Sequence, residues 1–211
     1  MTDSDHPYTI ETQRVRLLDA AVSRAPFDGW NAKLLANAAK DIDMPKVLAG
    51  SLFSQWPVDG IALHSALADD SMVSALQQQQ GYGSWGVRET LKRAIMTRLK
   101  MVGGDKEAVR VATFKLSLPH YVYRANKINW CTVDSLWSLV GEDSGFDHYS
   151  KRSILAVVYP TILLHWFHDN SPDMAVTEAF IARQLDRVVA VMKPASQVRR
   201  RITDYLHPFA T

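Results

Sequence analysis

Residues 154–167 read ILAVVYPTILLHWF, the most apolar run in the chain, interrupted by Pro160 and His165. A helix needs about 20 apolar residues to cross a bilayer. This run is too short for that and reads as a buried helix, with a kink expected where the Pro160 ring meets the preceding turn. Helical spacing recurs on both sides of it. Upstream, Trp130, Val133, Leu136, Trp137 and Val140 mark one helix; downstream, Val176, Phe180, Ile181, Leu185, Val188 and Val189 mark another. Ser171 is expected to cap that second helix, with Pro172 at its first position.

The same spacing extends to the N-terminal half. Val15, Leu18, Ala21 and Val22 form a stripe that Pro26–Gly29 should end, and Trp30, Leu34, Leu35 and Ala38 form a second. Pro45 and Pro57 are placed to start further helices, since proline is tolerated in a first turn. Val87, Leu91, Ile95 and Leu99 follow, stopped by Gly103–Gly104, and Asp105 is a candidate N-cap for a helix carrying Val109, Ala112 and Leu116. No useful period-2 run appears, so the expected class is all-α, with about nine or ten helices by spacing.

Composition narrows the function classes. With 47% hydrophobic and 22% charged residues in 211, the chain can bury a sizeable core. A single cysteine, Cys131, excludes an intrachain disulfide and a cysteine-rich zinc site, and its place beside Trp130 suggests that it fills core. A net charge of +2 gives no global reason to expect nucleic acid. Met1–Thr12 carries Asp3, Asp5 and Glu11 without a cation, unlike a secretory or mitochondrial leader, so a cytoplasmic location is expected.

Several motifs invite a chemistry that their context denies. Gly81–Gly86 matches the dinucleotide fingerprint in letters, but that fingerprint works between a strand and a helix, and no strand precedes it. It reads as a flexible interhelix loop. His165, His168 and Asp169 lie one turn apart, yet two histidines without a third partner are a weak metal signal. The alternative is that His165 packs on an apolar face and His168 caps the helix end. No Glu has a His three residues on, which disfavours a helical di-iron enzyme. No catalytic constellation is expected, and no metal or cofactor.

The first three helices have helix-turn-helix proportions, with a turn at Asp41–Asp43. A DNA reader needs cations or amides in its third helix. Between Pro45 and Phe53 the only cation is Lys46, so the shape is expected without the DNA function. The six tryptophans leave two readings open: core packing, or a pocket for a bulky apolar ligand between helices.

Beyond the helical stretches, Leu118-Pro119-His120, Asp134-Ser-Leu-Trp137, Gly141-Glu142-Asp143-Ser144, Tyr149-Ser-Lys151-Arg152, Tyr159-Pro-Thr161 and Asp169-Asn-Ser171-Pro172 occur in one order and spacing. Together with Pro26-Phe27-Asp28-Gly29-Trp30, they resemble the lipid-binding accessory family of ubiquinone biosynthesis over most of residues 10–193. The resemblance implies a fold like that of TetR-type regulators, usually a homodimer, with DNA binding lost. It implies a non-catalytic protein that holds an isoprenoid lipid or quinone precursor and presents it to the di-iron hydroxylase of the pathway.

Residues are assigned on that basis. The lipid pocket is expected at Trp130, Leu136, Trp137, Leu155, Tyr159, Leu163 and Trp166, and the hydroxylase face at His148, Tyr149, Lys151 and Arg152. Of the family's Asp-x-x-Trp-Tyr segment only Tyr149 matches, with Gly145 and His148 at the other positions. The expected organisation is one all-α domain over 1–193, with a helix-turn-helix-like part at 10–55 and a lipid-pocket bundle at 56–193. An amphipathic segment follows at 194–211. There Val198, Ile202, Tyr205 and Phe209 share one helical side, beside Arg199, Arg200 and Arg201. Peripheral contact with the cytoplasmic membrane is expected through these residues. The alternative is that the segment folds back onto the core or onto a second subunit. The competing function, a TetR-type ligand-responsive regulator, shares fold and pocket and differs at the third helix.

Overall fold

The computed structural model describes residues 9–141 and 146–188, with 146–151 by backbone alone. Among them the only regular structure is helical. The elements are α1 (Ile10–Asp28), α2 (Ala32–Asp41), α3 (Lys46–Leu52), α4 (Val58–Gln77), α5 (Val87–Met101), α6 (Lys106–Leu116), α7 (Val122–Ser138), α8 (Phe146–Phe167) and α9 (175–188). Single 3₁₀ turns occur at Gly103–Asp105, Pro119–Tyr121 and Pro172–Met174. The all-α expectation holds.

The ends of these helices follow local chemistry. Thr9 caps α1 by accepting from the Thr12 N–H at 3.2 Å, and Asn31 caps α2 by accepting from the Leu34 N–H at 3.0 Å. Pro26 does not end α1; the helix runs on to Asp28 and stops at Gly29, whose φ of 67° only glycine adopts easily. Asp105 precedes α6 but gives it no side-chain cap. Its carboxylate lies 3.4 Å from His64 Nε2 instead. Gly81–Gly86 joins α4 to α5 by hydrogen-bonded turns, with Tyr82 N–H donating to Gln79 O and Ser84 N–H to Gly81 O at 3.1 Å each. No strand flanks it among the described residues, so the nucleotide reading has no support.

The chain divides into two compact units, one of residues 1–72 with 98–132 and the other of 73–97 with 133–211. In the first, α1, α2 and α3 pack Leu17, Leu18, Ala21, Trp30, Leu34 and Phe53 into one apolar core. Trp30 Nε1 donates to Ala108 O at 3.0 Å, and Trp56 Nε1 donates to Asn31 O at 2.7 Å. Both indoles thereby bury their rings without stranding a donor.

A charged cluster is also buried in this unit. Arg98 Nε donates to Asp69 Oδ1 at 2.5 Å, and Arg98 Nη2 donates to Ser65 Oγ at 2.8 Å. The Thr132 hydroxyl donates to Asp69 Oδ2 at 2.9 Å. Burial pushes the Asp69 carboxyl up from its ordinary value, while Arg98 and the Thr132 hydroxyl pull it down. The cluster ties α4, α5 and α7 together by directional bonds that apolar contact would not supply.

In the second unit, Arg88 forms a two-pronged pair with Asp186 at 2.5 and 3.0 Å, and Lys92 reaches Glu178 at 3.1 Å, joining α5 to α9. These exposed pairs contribute little stability. They record which helices are neighbours.

Removing one partner of a buried ion pair strands the other. Arg98→Met should therefore cost about 3–5 kcal/mol in urea unfolding, and Asp69→Leu with Arg98→Met clearly less than the single change. An equal cost for both proteins would mean that the pairing is not what the core depends on.

Candidate functional site

Helix α8 owes its placement to one stripe. Leu155, Tyr159, Ile162 and Trp166, at steps of four, three and four, are buried, while Ser153, Val157, Thr161, Leu164 and His168 face solvent. Pro160 lies inside the helix without ending it. Helix α7 presents Val133, Leu136 and Trp137 inward in the same unit. Arg152 Nε donates to Asp134 Oδ1 at 2.7 Å, which makes α7 and α8 neighbours there.

Six of the seven expected pocket residues thus belong to one unit: Leu136, Trp137, Leu155, Tyr159 and Trp166 buried, Leu163 half-buried. Trp130 is half-buried and belongs to the other unit. Cys131 corrects the core assignment made for it. It is exposed, because the inward face of α7 there is Thr132, Val133 and Leu136.

Two buried polar atoms stand out in the second unit. Trp137 is only 4% exposed, yet its Nε1 is buried with no hydrogen-bond partner among the described residues. His165 Nε2 is in the same condition, with its ring stacked on Phe180 at 4.1 Å. A buried donor without an acceptor costs about 1–3 kcal/mol. Sequence reasoning named Trp137 for its apolar bulk and missed this polar feature, which only packing reveals.

The Asp169 region serves a different purpose from metal binding. Asp169 Oδ1 accepts from the Ser171 N–H and hydroxyl at 2.7 and 2.6 Å, and Oδ2 accepts from the Thr177 N–H and hydroxyl at 2.7 and 2.6 Å. Ser171 and Pro172 open the 3₁₀ turn before α9 and not α9 itself, and Ser171 Oγ accepts from the Val176 N–H at 3.1 Å in the first turn of that helix, with Asp169 behind it. His168 Nδ1 lies 2.9 Å from Leu164 O at the end of α8. Burial alone would raise the Asp169 carboxyl, but these four hydrogen bonds outweigh it and hold the group well below the usual carboxylate range.

Two other surfaces bear on function. An open groove of about 610 Å³ runs along α1, lined by Val15, Ala20 and Ile42 together with Glu11, Arg16 and Asp19. It is open to solvent, whereas a long apolar chain gains most from an enclosed site. Helix α3, the reading helix of a helix-turn-helix, turns Val47 (87% exposed) and Leu48 to solvent beside Lys46. Of the expected hydroxylase face, Arg152 is committed to Asp134, with its side chain 12% exposed. The side chains of His148, Tyr149 and Lys151, and the whole of 194–211, lie outside the described residues.

The COQ9 family model matches residues 122–192, from the start of α7 onward. Over most of its length the chain is similar to the COQ9 proteins. "Ubiquinone biosynthesis protein COQ9, mitochondrial" of Homo sapiens is 27% identical over 205 residues, which cover 93% of this chain and 64% of that protein. The Drosophila melanogaster protein of the same name is 28% identical over 195 residues, covering 89% and 59%. The chain therefore spans less than two thirds of the length of these relatives. A TetR transcriptional regulator from Nitrosomonas europaea superposes with a TM-score of 0.68 at 20% identity, over 84% of this chain and 98% of that one. The fold is TetR-like, as the resemblance in the sequence implied.

The depressed Asp169 value sets the sign of a pH effect. The folded carboxyl titrates below its unfolded value near 3.9, so its contribution is present above about pH 4 and is lost as pH falls further. Asp169→Asn should cost about 1–2 kcal/mol at pH 7 by urea unfolding, with the gap to the parent narrowing below about pH 4. A gap that widens on acidification would contradict this assignment.

Proposed function

We propose that this protein is a non-catalytic accessory factor of ubiquinone biosynthesis that binds an isoprenoid quinone precursor and presents it to the di-iron hydroxylase. The observation that carries the reading is the buried Trp137 Nε1, without a hydrogen-bond partner among the described residues, in the unit that also buries Leu136, Leu155, Tyr159 and Trp166. An isoprenoid tail gains about 25 cal/mol per Å² on leaving water for such a lining. A ring oxygen on the head group would give the indole N–H its acceptor. The names of the COQ9 relatives support the pathway, and the helical fold supports entry by parting of helices around α7 and α8.

The reaction itself would belong to the hydroxylase. Among the described residues no group of three His, Cys, Asp or Glu is placed to hold a metal. The regulator reading shares the fold but meets the apolar face of α3, where Lys46 is the one cation and phosphate contact needs several. A gel shift with random DNA at low salt would expose that activity.

Leu163→Glu places a charge in the lining and should abolish co-purification of lipid from a protein that still unfolds cooperatively. Trp137→Phe keeps the bulk and removes the donor, and should weaken retention of a quinone head group about tenfold while sparing a purely hydrocarbon chain. Undiminished lipid in folded Leu163→Glu would remove this site from consideration.

The partner face remains part of the proposal, centred on His148, Tyr149 and Lys151. Because Arg152 is held by Asp134, the informative change is Tyr149→Ala with Lys151→Glu. It should weaken pull-down of the hydroxylase without shifting the melting temperature by more than a few degrees. An unchanged pull-down would count against this face. Membrane contact through Val198–Phe209 is likewise proposed. Among the described residues no helix is long and apolar enough to cross a bilayer.

A further inference from the structure

The turn between α6 and α7 carries a feature that the lipid site does not use. Six of the seven residues from Ser117 to Tyr123 are exposed, so the turn stands out from the unit that bears it. Polar turns are the rule at such places. Here the exposed residues include Leu118, Val122 and Tyr123 (77% exposed), with Phe114 exposed one turn earlier on α6.

The turn is firmly built. Leu118 N–H donates to Lys115 O at 3.4 Å, Tyr121 N–H donates to Leu118 O at 2.9 Å, and Ser117 Oγ donates to Phe114 O at 2.8 Å. Tyr121 packs against the core cluster, with His120 against its ring at 4.0 Å and Lys115 Nζ over it at 5.8 Å. Tyr121 thus roots the turn while its neighbours point outward.

Along the chain, the charge that flanks the turn is of one sign. From Ala108 to Val133 the sequence holds Arg110, Lys115, Arg124, Lys127 and His120, and no carboxylate. The nearest acid, Glu107, is paired with Arg110.

We infer that the α6–α7 turn is a second membrane-contact element, in which Leu118, Val122 and Tyr123 enter the head-group region of an anionic bilayer while Lys115, Arg124 and Lys127 meet the lipid phosphates. This rests on the reading that the protein works at a membrane surface, and it adds a site independent of the C-terminal segment. Aliphatic and aromatic side chains gain by leaving water for the acyl boundary, and each nearby cation adds attraction to an anionic leaflet. Nucleic acid would reward the cations but not Leu118 or Val122. An amphipathic tip with basic shoulders fits lipid on both counts.

The test is flotation of the full chain with vesicles of phosphatidylcholine and phosphatidylglycerol, beside vesicles of phosphatidylcholine alone. Leu118→Ser with Tyr123→Ser should lower partitioning about tenfold. Arg124→Glu with Lys127→Glu should remove most of the preference for the anionic vesicles, at about fivefold per charge. Both losses should persist in a full chain whose C-terminal stripe is disabled by Ile202→Asp and Phe209→Asp. Partitioning of Leu118→Ser with Tyr123→Ser equal to the parent's overturns the inference. So does a change confined to oligomeric state by light scattering, which would make the patch a contact between copies of the chain. Co-purified lipid, measured on the same preparations, should be unaltered by the turn variants. Its loss in Leu163→Glu with flotation intact would separate the pocket from this surface.

Discussion

The buried bonds among Asp69, Arg98, Ser65 and Thr132 fix the rotational phase of α7 where that helix passes through the first unit. Apolar packing tolerates small rotations of a helix, whereas bonds of 2.5–2.9 Å tolerate little. Thr132 holds α7 at one angle about its axis. Leu136 lies four residues on, on the same face, and Trp137 follows beside it, so the phase set at Thr132 decides which side chains α7 turns inward. A rotation of one residue would exchange Trp137 for Ser138 on that face and put a small polar group in place of the indole. The clamp costs desolvation of two charges, and its return is a defined geometry rather than net stability.

Within the second unit the same economy is visible in α8 and the start of α9. The inward stripe of α8 is apolar without a break at Leu155, Tyr159, Ile162 and Trp166, and the charged work is moved to the helix end. There Asp169 collects four donors from Ser171 and Thr177 and starts the next helix. What is left unsatisfied is inside: Trp137 Nε1 and His165 Nε2. A core that pairs the indoles of Trp30 and Trp56 with backbone oxygens elsewhere leaves this one open. On the proposed reading, that open donor is where the head group of a bound lipid registers.

Much of the fold was legible because helix periodicity is a local property. The stripes on α1, α7 and α8 are written in consecutive residues, and the glycine stops between helices mark where they end; the TetR-like arrangement was implied by the family resemblance and not by periodicity. Some local signals still misled. Pro26 is expected to end α1, yet the helix carries it for two further residues and Gly29 makes the stop. Asp105 had the right type for a cap and was drawn toward His64. Cys131 was placed in the core beside Trp130, although one residue of helical rotation carried it outside. The pairing of Asp69 with Arg98, 29 residues away, leaves no trace in spacing at all. Asp169 shows the reverse: its neighbours were visible, but whether it served a metal or a cap depended on geometry. For the site, the apolar lining was readable as bulk, and the stranded indole donor was not.

The proposed function sets an isoprenoid quinone precursor against the α7 and α8 residues of the second unit. It is tested most directly by extracting the freshly purified full chain with organic solvent and identifying what was bound by mass spectrometry. The expected yield is a prenylated aromatic or quinone species, retained in near-stoichiometric amount and depleted when Trp137 is changed to Phe. A preparation that carries only bulk phospholipid, in the same amount with and without the Trp137 indole, would contradict it.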